Sequence, residues 1–150
     1  MNLPALETWF GLANSLALLG WAALVLAPLF GRHAGLARRF AGRVVPLLLA
    51  VAYAGLIATH WGTGGYGSLQ QVQQLFSVPG LLLAGWLHYL AFDLFVGNWI
   101  AERAVVLGLR AWVWVPLLAL TFLFGPAGLL GYALVRGLAA GRARLSAASL

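Results

Sequence analysis

Apolar residues run along this chain in four long blocks, with the charged residues gathered between and after them. The blocks cover about residues 6–30, 44–61, 78–101 and 112–135. Each is near the about 20 residues that a helix needs to cross the hydrocarbon core of a bilayer. The pattern predicts an all-α protein, a polytopic membrane four-helix bundle folded as a single integral membrane domain over residues 1–150. Pro46, Pro79 and Pro116 are expected in first turns, where a missing N–H costs little. Pro126, beside Gly125, is expected to kink the fourth helix. Gly62–Gln74 reads as a solvated connector, with Gln70–Phe76 as a possible interfacial helix or lid, and Ala139–Leu150 as a frayed tail. The small pairs Gly80/Ala84 and Ala127/Gly131 suit close helix contact.

Composition strengthens the membrane reading. The chain is 63% hydrophobic and 8% charged, against about 25% charged in soluble domains, and its mean hydropathy is +0.93. Thr8 to Gly31 carries no charge and no basic region precedes it, so this block is expected to be a retained helix rather than a signal peptide. The absence of cysteine excludes disulfides, thiolate metal sites and cysteine nucleophiles.

Charge sets an expected orientation. All nine basic residues are arginine. They sit at block ends, which suits headgroup anchoring and does not suggest nucleic acid. Arg32, Arg38, Arg39, Arg43, Arg103 and Arg110 fall between blocks one and two or three and four; Arg136, Arg142 and Arg144 follow the last. Counting arginines places the two loops in the cytoplasm and both termini outside, and the expected setting is a bacterial cytoplasmic membrane.

Few polar groups interrupt the blocks. Asp93 is one of three acidic residues and lies inside the third. A carboxylate at such a depth costs about 2.5–3.5 kcal/mol on insertion scales, which makes it a functional candidate by default. Its structural alternative is an acceptor for Tyr53, Thr121 or an arginine. Counting inward from the arginine loops at about 1.5 Å per residue puts Asp93, Tyr53 and Thr121 at one depth and His88, His60 and Asn14 at a second. One polar pocket inside the bundle is the expectation. Trp86 and Tyr89 share a stripe with Asp93, and Tyr89 is placed to hydrogen-bond it one turn away. His88 and Asp93 stand about 140° apart around the helix, so they are expected to flank the pocket rather than bond each other. No metal site is expected. Aromatic side chains are expected in interfacial belts and packing, with some available to line an elongated apolar cavity.

The string Trp-Leu-His-Tyr-Leu-Ala-Phe-Asp-Leu-Phe-Val-Gly-Asn-Trp-Ile at 86–100 resembles the signature of the abscisic-acid-deficiency membrane family, whose plant members are associated with neoxanthin synthesis. Leu120 to Leu130 resembles that family's fourth segment, and Ala27-Pro28 and Phe76-Ser77 fit more loosely. The resemblance implies isomerisation of a 5,6-epoxy carotenoid, or a related isoprenoid, to an allenic alcohol without a redox cofactor. Such chemistry needs an acid at the epoxide oxygen and a base at the adjoining polyene carbon. Asp93 and His88 are the candidates, in either order, with Tyr89, Trp86, Tyr53, His60, Asn14 and Thr121 as candidate substrate contacts. The implied partners are membrane lipid and a carotenoid or other apolar isoprenoid.

Two other classes compete. His60 and His88 lie at similar counted depth, which allows bis-histidine haem in a bundle. A non-catalytic carotenoid- or lipid-binding or assembly protein would explain the aromatic content without asking Asp93 for chemistry. A proton-coupled transporter is disfavoured, since four spans are few and no inverted repeat is visible.

Overall fold

A computed structural model describes residues 2–61 and 64–148, the last of these, from 142, by backbone alone. The chain is helical, with no strand among the described residues. Helix α1 is Leu3–Leu26, and Asn2 caps it by accepting from the Ala5 N–H at 3.3 Å. A tight 3-10 stretch, Ala27–His33, contains Gly31 at φ 49°, ψ −119°, and there the chain turns back. Only glycine adopts that conformation readily. Helix α2, Ala34–Arg39, and a wide π turn, Phe40–Val44, lead into α3, Val45–His60. Helix α4, Leu69–Phe76, is short, capped by Ser68, and turns Leu75 into the protein. Of the two readings of Gln70–Phe76, the helix is the one formed. Val78 is extended, as a residue before proline prefers, and Pro79 opens α5, Pro79–Val106.

Helix α5 is central and touches every other long helix. Small residues permit the approach: Gly20 of α1 sits against Leu94 and Val45, and Gly97 of α5 against the Trp21 ring. Leu24, Val45, Leu94, Ile100 and Leu118 form the buried centre. Helix α1 runs parallel to α5, pairing Phe10 with Trp86 and Trp21 with Gly97. Helix α3 runs the other way, with His60 over Gly80 and Tyr53 beside His88. Two helical stretches, Leu3–His60 with its break at Gly31 and Pro79–Val106, are long and apolar enough to cross a membrane.

The fourth block departs from expectation. It is two helices, α6, Ala111–Phe124, and α7, Pro126–Ala148, which fold back on each other as a hairpin. Gly125, at φ 49°, ψ −102°, makes the reversal, and Pro126 cannot donate the N–H that would continue α6. Gly128 packs so closely on α6 that a Cβ there would lie 2.6 Å from the Thr121 nitrogen, and Gly131 lies against Leu117. A continuous helix over 112–135 with a kink at Pro126 is therefore corrected to a reversal, and the simple four-helix bundle to three long helices plus a hairpin. Pro116 is corrected as well: it lies inside α6 rather than in its first turn.

The hairpin also relocates the C-terminal end of the described chain. The Trp99 and Tyr132 rings meet edge-on at 5.3 Å, and one further turn along α5 and α7 brings Arg103 and Arg136 level. Helix α7 thus returns to the end of the molecule that carries the arginine loops. The sequence pattern places both termini at the opposite end, whereas the reversal at Gly125 turns the described part of α7 back toward the arginine loops.

Candidate functional site

A groove runs along the molecule where α1 meets α5 and α6. Three clefts join end to end. The first, about 640 Å³, is lined by Leu6, Phe10, Phe76, Leu83 and Trp86, with Glu7 on its wall. The second, about 630 Å³, is lined by Asn14, Trp21, Tyr89, Asp93 and Phe122 and shares Phe10 and Trp86 with the first. The third, about 490 Å³, shares Leu18, Trp21 and Phe122 with the second and continues past Val25 and Val115. Its walls follow α1 from Leu3 to Leu26, which at 1.5 Å per residue is about 35 Å.

Asp93 stands near the middle of α5 and in the middle cleft. The hairpin reversal lies against it: a Cβ on Gly125 would be 3.0 Å from Asp93 Oδ1. Asp93 Oδ2 is buried with no hydrogen-bond partner. A buried acceptor left unpaired is costly, and the residue that carries it lines the middle cleft.

Tyr89 is one turn away, and its hydroxyl donates to the Phe122 carbonyl at 3.1 Å. In an unbroken helix that carbonyl would accept from residue 126, which is proline and has no N–H. The Tyr89 hydroxyl also reaches Asp93, as the one-turn spacing predicts, while giving its proton to the orphaned carbonyl. Asn14 Nδ2 donates to the Phe10 carbonyl at 2.8 Å, which turns Oδ1 toward Trp86, whose Nε1 donates to it at 3.1 Å. The Trp86 ring lies 5.7 Å from Phe10 and 5.2 Å from Tyr89, both tilted. Trp21 meets Phe122 edge-on at 5.5 Å. The result is an apolar, aromatic channel with one carboxyl group at mid-length.

The model of the ABA DEFICIENT 4-like family matches residues 8–132. The chain belongs to the ABA DEFICIENT 4-like family. The match takes in the groove from Phe10 to Gly125 and ends within α7. No curated protein and no solved structure matches the chain.

In this ABA DEFICIENT 4-like chain, Asn14, Trp86, Tyr89 and Asp93 come together, and four other candidates stand elsewhere. His88 is exposed, stacks on Phe92 at 4.4 Å and faces Tyr53 at 5.7 Å. Five residues turn a helix by about 140°, which carries His88 out of the groove that holds Asp93. An acid–base pair of Asp93 and His88 thus has no shared cleft. His60 rests over Gly80, its Nδ1 3.1 Å from the Leu56 carbonyl. His88 lies two turns further along α5, about 12 Å, so the two rings do not face a common haem iron. Thr121 is fully buried under Gly128 and donates to the Leu117 carbonyl at 2.8 Å. Its role is in the hairpin.

Phe10, Trp21, Phe122 and Gly125 were not singled out from sequence as site residues. Phe10, Asn14, Ala17 and Trp21 recur at helical spacing on α1, which is the signal that could have found the α1 wall. The Gly125-Pro126 dipeptide is a common turn pair.

Proposed function

We propose that this chain is a membrane-embedded isomerase that opens an epoxide on a carotenoid or related isoprenoid. Four features support it: the family, the length of the groove, its aromatic lining, and Asp93 at its middle. The single carrying observation is the unpartnered Asp93 Oδ2 in an otherwise apolar channel. The epoxide sits on the end ring, so with Asp93 at mid-length one arm of the groove takes that ring and the other takes the polyene along apolar walls.

Asp93 in its acid form donates a proton to the epoxide oxygen. The C–O bond on the polyene side breaks, and the oxygen stays as an alcohol on the other ring carbon. Positive charge develops on the polyene carbon, and the faces of Trp86, Tyr89 and Phe122 stabilise it. The Asp93 carboxylate then removes the proton from the adjoining polyene carbon, whose C–H electron pair becomes the second double bond of the allene. The proton given is recovered, and no redox partner is required. One carboxyl group serves as acid and then base.

Lipid embedding belongs to the same proposal. Leu47, Val51, Leu123 and Leu130 turn outward, as lipid-facing side chains do. The α6–α7 hairpin then enters from the arginine end and returns to it, its turn buried against α5, the setting in which broken helices are tolerated inside a bilayer. The arginines then lie on the cytoplasmic side, with the N-terminal end of α1 outside and the C-terminal end of α7 inside.

The test is to purify the protein in mild detergent from cells making epoxy carotenoids, record its visible spectrum and separate the pigments. A structured carotenoid spectrum with an allenic isomer is expected. Pigment retained unchanged would favour a binding protein, and colourless protein without allenic product would remove the reading.

A further inference from the structure

Phe10 and Trp86 line both the first and the second cleft, so they stand at the junction between the chamber that holds Asp93 and the one that holds Glu7. Trp86 is held there by contacts with three groove residues. Its indole N–H donates to Asn14 Oδ1, and its ring lies between those of Phe10 and Tyr89. The Asn14 amide has one orientation that satisfies both its contacts, since Nδ2 must donate to the Phe10 carbonyl for Oδ1 to accept from the indole. Trp86 itself is 38% exposed, so its ring is set by this latch rather than by burial in the core.

We propose that Trp86, latched by Asn14, determines how far an isoprenoid chain extends from Asp93 toward the Glu7 end of the groove. With the latch closed the indole stands at the junction where the two clefts meet. With the indole swung aside or removed the passage between them widens. The proposal rests on the reading of the groove as an isoprenoid site. It adds that one side chain selects the length of the occupant on this side of the carboxyl group. Linear prenyl chains are the ligand class, because both chambers are lined almost wholly by apolar side chains and Glu7 is exposed.

The test presents purified full-length protein with all-trans polyprenols of increasing chain length and identifies by mass spectrometry what stays bound after re-isolation. Wild type is expected to retain chains up to a definite length. Trp86→Ala shifts that limit to longer chains, and Asn14→Leu, which keeps the indole but removes its acceptor, shifts it in the same direction by less. Trp86→Leu replaces Trp86→Ala if the latter is not monodisperse. An unchanged length limit in these variants overturns the proposal. If Asp93→Asn still abolishes product formation in that case, the isomerase reading survives alone. Failure of wild type and all variants to retain any chain also overturns the proposal, and the isomerase reading is then decided by allenic product from the epoxy carotenoid.

Discussion

The Tyr89 hydroxyl donates to the Phe122 carbonyl at 3.1 Å, and the bond exists because Pro126 has no N–H to offer that oxygen. The hairpin reversal and the groove wall are thereby tied at one point. Tyr89→Phe keeps the ring and removes the donor. It is expected to lower stability by about 1 kcal/mol, measured by denaturation in mixed micelles. Stability equal to wild type would show that the carbonyl finds another partner.

Gly125 adopts a conformation that other residues rarely reach, and it lies against Asp93. Gly125→Ala introduces backbone strain of about 1–3 kcal/mol and a methyl 3.0 Å from Oδ1. Both lower yield and thermal stability are expected, together with loss of product. A variant as stable and active as wild type would show that the turn is not built as described.

The hairpin makes a topological prediction that hydropathy does not. A reporter fused after α7 should lie on the cytoplasmic side, so a green fluorescent protein fusion fluoresces and an alkaline phosphatase fusion is inactive. Active alkaline phosphatase at that position would mean that α6 and α7 cross as one span.

His88 lies outside the groove, against Phe92 and Tyr53. His88→Ala is expected to leave bound pigment and product at wild-type levels, checked by chromatography of extracts. Loss of product with the fold intact would return His88 to the reaction.

The sequence made α1, α3 and α5 legible because long apolar runs leave few alternatives, and Pro46 and Pro79 mark helix starts. It also made Asp93 conspicuous, since an aspartate in such a run is costly. The hairpin was not legible from hydropathy, because a kinked span and two half-helices have the same apolar composition. What decides between them is the Gly125 backbone and the absence of a side chain at Gly128, where α7 meets Thr121. Counted depth put His88 and Asn14 in one layer, but depth does not fix rotation. Asn14 turns to Trp86 while His88 turns to Tyr53, and only packing against α1 and α3 settles which residues face the groove. The separation of His60 from His88 was hidden for a related reason. Counting inward from block ends ignores where neighbouring helices meet, and His60 meets α5 at Gly80.

The most direct test of the central claim is product formation by Asp93→Asn in cells supplied with an epoxy carotenoid, with pigment bound to the purified variant measured alongside. Asparagine keeps the shape of the side chain and removes its acid. The account predicts that pigment remains bound in its unchanged form while product falls by about 10²- to 10⁴-fold. Product at the wild-type rate would contradict it.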